Sequence, residues 1–301
     1  MKIIRELLRK QDGNVLILVS LAFAGLLAIT GLVMDGSRLY MTKADLQKVA
    51  NAAALSGAQE LTSNDEAIVR SIVDEVLVKH NEIAALDTVN VLLNDRVKVN
   101  LQRDVPLAFS KLFGIETVNI KADATASLGV MGRATGAVPL GVDESFVLEF
   151  GEEYPLKVGS GDSEYGNFGI LALAGPGAKT YEETFRDGYS EELQVGDIVN
   201  TESGNVSGKT RDVVQTRVNS CNDMYARDCD RVILALIYKP YANELNKVKQ
   251  VQITGFAYFY IKEPMSATDT SITGIFMKRT GKGFADPNAV NRGAYSIKLT
   301  E

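Results

Sequence analysis

The chain has 301 residues, with 32 Lys and Arg against 38 Asp and Glu and a formal charge of −6. Four basic and two acidic side chains fall in the first twelve residues, so the remainder stands at −8, a balance that attracts neither nucleic acid nor anionic lipid. The length admits a membrane span and two modest domains, while one histidine and two cysteines are too few for a zinc site of the usual ligand set.

In chain order, Lys2, Arg5, Arg9 and Lys10 outnumber Glu6 and Asp12 and precede twenty uncharged, mostly apolar residues, 15–34. As a helix rising 1.5 Å per residue, that run is about 30 Å long, the thickness of a bilayer's hydrocarbon core. The basic excess predicts residues 1–12 in the cytoplasm and residue 35 onward outside it. A cleavable signal has a shorter apolar core with small residues at the cut; here Ala22-Phe23-Ala24 lies in mid-run. The expectation is an uncleaved single-pass anchor, with a cleaved signal or a buried soluble helix as alternatives. Ser20, Ala24 and Ala28 recur at four-residue spacing, a small-residue face on which another membrane helix, or a second copy of this one, can pack.

No proline interrupts residues 35–61. Leu39, Leu46, Ala50, Ala53, Ala54, Gly57 and Leu61 fall within about 60° of one line at 100° per residue, with Lys48 and Asn51 pointing away. The span is therefore expected to continue as helix. Ala50, Ala53, Ala54 and Gly57 form its candidate packing interface, covered by residues 65–128 of the same chain. Ser63-Asn64-Asp65-Glu66 supplies an N-cap and an acidic first turn for a second helix ending near Ala85. Residues 89–93 and 97–101 alternate around Asn94-Asp95 as a hairpin. A short helix follows Pro106 through Leu107, Phe109, Leu112 and Phe113, with Gly114 as its stop. Residues 118–128 then alternate as a strand.

Composition shifts near Gly129: 20 of 26 glycines, six of seven prolines and ten of eleven tyrosines lie from there onward. The shift predicts a boundary at 129–137 and a β-rich remainder with strands at 145–150, 169–173, 196–200, 232–238, 251–261, 271–277 and 295–299, arranged as a barrel or sandwich. Cys221 and Cys229 enclose a nine-residue stretch; outside the cytoplasm a local disulfide is the simplest reading, with free thiols or a metal as alternatives.

No catalytic, cofactor-binding or metal site emerges, and the chain is expected not to be an enzyme. Gly204 to Thr210 imitates a phosphate-binding loop but has three residues between its glycines where four are needed; a turn into a short helix at Thr210 is the simpler reading. His80 sits between Lys79 and Asn81 on a polar helix face. Glu152-Glu153, Glu182-Glu183 and Glu191-Glu192 are adjacent, so on a strand each pair would diverge. Residues 159–164 carry oxygens suited to calcium without an EF-hand pattern.

The segment Asp12-Gly13-Asn14-Val15, the apolar run, Met34-Asp35-Gly36-Ser37-Arg38-Leu39-Tyr40 and Leu46 to Ala58 resembles the TadE/TadG-like N-terminal domain of the tight-adherence machinery that assembles Flp pili. Stretches at 165–169, 195–197, 201–210 and 255–259 are similar to the C-terminal part of Tad-like proteins from Gram-positive bacteria, with no residue role to carry over. The elements read along the chain sum to an α+β protein, which the resemblance fits: a transmembrane helix continuing into a small pilin-like α+β unit, then a β-rich domain. The divisions are 1–12 cytoplasmic, 13–34 membrane helix, 35–130 α+β unit and 131–301 β-rich and extracytoplasmic. The resemblance implies a non-enzymatic part in pilus assembly or secretion, with the membrane and pilus-assembly or pilin-like proteins as partners. The alternative is a tethered extracytoplasmic enzyme or binding protein with its site in the β-rich domain. Gly13 stands where prepilins are cut, yet the fifth residue beyond it is Leu18 and not the glutamate of a processed pilin. That departure points to an uncleaved TadG-type accessory, with processing after Gly13 left open.

Overall fold

The computed structural model describes residues 11–159, 168–202, 206–244, 247–266, 268 and 270–300. One helix, α1 (Gln11–Ala58), runs without a break from the apolar run into the folded body. Residues 15–30 are exposed; burial starts at Gly31 and Asp35 and becomes a continuous stripe from Leu46 onward. Among the described residues this is the one helix long and apolar enough to cross a membrane.

Helix α2 (Glu66–Lys79) starts at Asp65, whose carboxylate accepts the Ala67 amide at 2.8 Å. It stops before residue 85 because Asn81 takes a left-handed conformation, φ 57°, and a separate 3-10 turn follows at Ile83–Ala85. Strands β1 (Leu86–Leu92) and β2 (Arg96–Pro106) form the expected hairpin, with Asn94 left-handed at its tip. A 3-10 turn, Ser110–Phe113, ends at Gly114, φ 86°. Then β3 (Thr117–Ala134) runs for 18 residues.

The rest is strand-rich: β4 (Ala137–Asp143), β5 (Glu153–Gly159), β6 (Phe168–Ile170), helix α3 (Ala178–Asp187), β7 (Leu193–Gln194), β8 (Ile198–Asn200), helix α4 (Ser207–Val218), β9 (Val232–Glu244), β10 (Lys247–Ile261), β11 (Ser271–Met277), β12 (Arg279–Thr280), β13 (Phe284–Ala285) and β14 (Ala294–Thr300). The first sheet has the order β1-β2-β3-β14-β12, with β7 and β13 also on β3; the second runs β11-β5-β6-β4-β9-β10-β8. An added β10–β11 pairing brings β4, β5, β6, β9, β10 and β11 into a nearly closed barrel. The class is α+β, a long apolar helix followed by a mixed sheet and a barrel.

Strand β9 shows why its sequence is apolar on both faces. Ile233, Ala235 and Ile237 join the core with Leu140, Phe259 and Phe276, while Leu234, Leu236 and Tyr238 enter a second core with Met131, Phe256 and Tyr258. Two expectations change. Residues 145–150 are not a strand: Asp143 Oδ1 accepts from the Ser145 amide (2.9 Å) and hydroxyl (2.6 Å), a side-chain turn that ends β4. The Glu182-Glu183 pair lies on α3 and not on a strand, because Tyr181, Thr184 and Phe185 form a short buried helical stripe.

Candidate membrane-proximal assembly interface

The small-residue stripe of α1 faces the chain itself. Ala50, Ala53 and Ala54 are fully buried in one core with Val69, Val73 and Leu77 of α2 and with Val97, Val99, Leu101, Ala122, Ala124 and Ala126 of β2 and β3. Alanine lets the helix lie close to the sheet. At Gly57 an added Cβ would meet Val73 Cγ2 at 2.7 Å. Lys48 is exposed, and Asn51, half-buried, accepts from Gln47 Nε2 at 3.1 Å.

A second set of contacts lies where the apolar run ends. Asp35, 4% exposed, accepts the amides of Ala108 (2.9 Å), Phe109 (3.0 Å) and Ser110 (2.7 Å) and the Ser110 hydroxyl (2.8 Å). These donors, the Ser110 amide foremost, hold its carboxyl at about 2 against the opposing effect of burial. One turn on, Arg38 donates to the Pro106 carbonyl at 3.1 Å. Further up, Lys43 donates to the Lys121 carbonyl and Gln47 to the Asp123 carbonyl. The β2–β3 hairpin is thus fastened along α1 at successive turns, with its tip at the edge of the apolar run. An Asp at the end of a membrane-length run, with Arg at i+3, was the available signal for this clamp. The stripe analysis passed over it because Asp35 belongs to no apolar pattern.

Residues 13–60 match the Tad family. The description of that family is "Putative Flp pilus-assembly TadE/G-like". No curated protein and no solved structure matches the chain. The Tad segment covers α1 from Gly13 and the turn after it, so it includes the apolar run, Asp35, Arg38 and the alanine stripe. A Tad pilus domain and a single apolar helix fit a membrane-anchored protein with a role in pilus assembly.

The far end of the Tad segment touches the strand-rich part. Cys221 and Cys229 form a disulfide, Cα–Cα 5.5 Å, closing the stretch before β9. From that loop Arg227 pairs with Glu60, and the Met224 and Ala226 carbonyls accept from Arg279 at 3.0 and 2.7 Å. Thr280 adds a hydrogen bond to the Gln59 carbonyl at 3.1 Å. These residues border a cleft of about 670 Å³ between the α1 terminus and the barrel. Of its charged groups, Glu60 and Arg227 tie the two parts together.

The remaining sequence candidates are engaged or apart. Lys209, the cation of the P-loop-like run, pairs with Glu182 at 2.7 Å, which also binds Arg186 at 2.6 Å. This contact raises Lys209 and lowers Glu182 from their ordinary pKa values. Thr210 is buried on α4, its hydroxyl 2.9 Å from that of Tyr181. Glu153 pairs with Lys262, Glu183 with Lys179 (3.7 Å) and Glu192 with Arg133 (3.2 Å), while Glu191 accepts from the Tyr189 hydroxyl (3.1 Å). His80 is the exposed C-cap of α2. Residues 203–205 of the P-loop-like run and 160–164 of the calcium-like stretch lie outside the described residues. Among the described residues no cluster of three or more His, Cys, Asp or Glu is placed to hold a metal.

Proposed function

We propose that the chain is a membrane-anchored, non-enzymatic component of a Tad-type pilus-assembly or secretion apparatus, with residues 1–12 cytoplasmic and the body beyond Asp35 outside. The observation that carries this reading is the Tad match over 13–60, on a helix that is bare along its apolar run and packed beyond it. A bare run of this length requires lipid or other membrane helices around it. The stripe that could have been a binding face is already filled by α2, β2 and β3, so assembly partners must bind elsewhere. Ser20, Ala24 and Ala28 remain exposed on the apolar run, which supports packing of a second membrane helix there. In this reading the divisions are 13–34 for the span, 35–130 for the Tad-like α+β unit and 131–301 for the β-rich part.

Deletion of the gene in its own host should abolish or sharply reduce surface pili and adherence, with recovery on complementation; unchanged piliation overturns the proposal. Orientation is read separately. A cysteine introduced at Ile3 should resist a membrane-impermeant thiol reagent in intact cells, while one at the exposed Lys179 should react, and the reverse pattern refutes the topology.

A further inference from the structure

The clamp at Asp35 fixes the β2–β3 connection in place, and that connection is apolar on its outside. Leu112 is 82% exposed, Phe113 67%, Ile115 50% and Phe109 37%. This loop is closed and shaped: Leu107 N–H donates to the Glu116 carbonyl (2.9 Å), Ile115 N–H to Ser110 (3.2 Å) and Gly114 N–H to Lys111 (3.0 Å). Its apolar side chains are therefore displayed on a hydrogen-bonded turn.

The position of that turn is given by its contacts with α1. Going down the helix, Gln47, Lys43, Arg38 and Asp35 meet Asp123, Lys121, Pro106 and the 108–110 amides in turn. The next step is Gly31, inside the apolar run, where an added Cβ would clash with Cδ1, Cγ and Cβ of Phe109. Gly31 lies four residues before Asp35, so the loop reaches about 6 Å along the helix from Asp35 into the apolar run. Lys111 and Glu116, 63% and 70% exposed at their side chains, pair at 3.9 Å beside the apolar tip, and long side chains of this kind can carry their charged ends out to a headgroup boundary. Tyr40, 76% exposed on the same helix, is the type of ring enriched at that boundary.

From this we infer that the 107–116 loop is a second membrane-insertion element, with Leu112, Phe113 and Ile115 entering the outer leaflet beside the α1 span. The occupant is the bilayer, because the exposed loop side chains continue the exposed apolar surface of residues 15–34 and sit at its upper end. Burying them removes three large apolar groups from water, so the loop sets the tilt of the body over the membrane as well as adding affinity. The inference rests on membrane anchoring by α1, and the test separates the two.

The chain contains no tryptophan, so a single introduced indole reports without background. The full chain is placed in nanodiscs of phosphatidylcholine, carrying one of three substitutions: Phe113→Trp at the loop, Leu21→Trp in the run, or Tyr241→Trp on an exposed barrel strand. Phe113→Trp should show blue-shifted emission, loss of emission with lipid brominated high on the acyl chain, and resistance to iodide. Leu21→Trp should be quenched by lipid brominated deep in the chain, and Tyr241→Trp by iodide alone. If Leu21→Trp is quenched by bromolipid while Phe113→Trp behaves like Tyr241→Trp, anchoring stands and the loop proposal is overturned. Protection of Phe113→Trp from iodide without bromolipid quenching also overturns it, since a protein surface then covers the loop. Failure of Leu21→Trp to respond to bromolipid overturns anchoring and the loop proposal with it. Leu112→Trp repeats the reading at a neighbouring exposed position, so that a local disturbance at residue 113 does not decide the outcome.

Discussion

Gly57 gives the sharpest test of how α1 packs, because two effects of Gly57→Ala oppose each other and the structure decides between them. Alanine is favoured over glycine in a helix by about 0.5–1 kcal/mol, through propensity and a less entropic unfolded chain. Against that, the new Cβ stands 2.7 Å from Val73 Cγ2, with Val69 Cγ1 at 3.5 Å and the Val69 carbonyl oxygen at 3.6 Å. Ordinary carbon–carbon contact is about 3.5–4.0 Å, so Val73 would have to retreat by about 1 Å. Val73 is fully buried, and as a β-branched residue on a helix it has one strongly preferred rotamer. Overpacking of this kind costs about 1–3 kcal/mol and outweighs the propensity gain. The expected net loss is about 0.5–2 kcal/mol, a fall of a few degrees in the thermal midpoint.

Gly36 is the control, since it is helical, exposed and has nothing within 4 Å of an added Cβ. Gly36→Ala should therefore stabilise by up to about 1 kcal/mol. The assay is denaturant unfolding of the full chain in detergent, with Val73→Ala and the Gly57→Ala/Val73→Ala double variant included. Removing the Val73 methyls should relieve the clash, giving a coupling of about 0.5–3 kcal/mol in favour of the double variant. If Gly57→Ala raised the midpoint as Gly36→Ala does, or if Gly57 and Val73 were additive, the described α1–α2 packing would be wrong.

Three further predictions follow from other contacts. Asp35 is held at about 2 in the folded chain, whereas a free aspartate titrates at about 3.9. Its contribution to stability is thus complete above about pH 4 and lost as pH falls through about 2, so Asp35→Asn should give a flatter acid-side unfolding profile over that window; an unchanged profile refutes the clamp. Replacing both Cys221 and Cys229 by Ser should cost about 2–3 kcal/mol, as expected for a short closed loop, and recovery of two alkylated thiols from unreduced native protein would exclude the bridge. Deleting residues 294–300 strips the β14 partners from β3 between Thr125 and Val130. Hydrogen exchange should then accelerate in β3 and β2, and unchanged protection there would show that the first sheet does not depend on β14.

Several elements could be read from local sequence because their physics is local. A twenty-residue uncharged run, alanines at helical spacing, an Asp N-cap and alternation around Asn94 each specify structure within a few residues. Strands β9 and β10 were legible for the same reason, since both faces are buried over 233–238 and 255–261 and the apolar runs there are nearly continuous, while β11 shows the plain alternation of a strand buried on one face. What escaped was one local side-chain turn and the non-local pairings. Residues 145–150 are apolar enough for a strand, but a two-residue side-chain turn from Asp143 ends the ladder first. The barrel closure depends on β10 meeting β11 and on β4 lying parallel to β9, pairings that no window of sequence contains. The Asp35 clamp joins residues 73–75 positions apart, and three of its four donors are backbone amides that almost any sequence would offer.

That last point bears on how the Tad segment works within this chain. Its apolar part is bare, its middle is the wall of the first core, and its end is tied to the loop before β9 through Glu60–Arg227 and to β12 of the first sheet through Gln59–Thr280. The first sheet also takes its β14 strand from the last residues of the chain, across β3 from β2. A tilt or rotation of the span is not readily absorbed at a hinge near residue 35, because α1 is unbroken there, the β2–β3 hairpin is hydrogen-bonded to it at Asp35 and Arg38, and Phe109 packs on Gly31 just below. The movement must pass into the sheet and from there, through β3 and β14, to the barrel. A glycine pair inserted after Asp35 should uncouple the two. Pilus output lost while the body stays folded would show that a stiff connection, and not mere tethering, is what assembly requires; full output would show that tethering suffices.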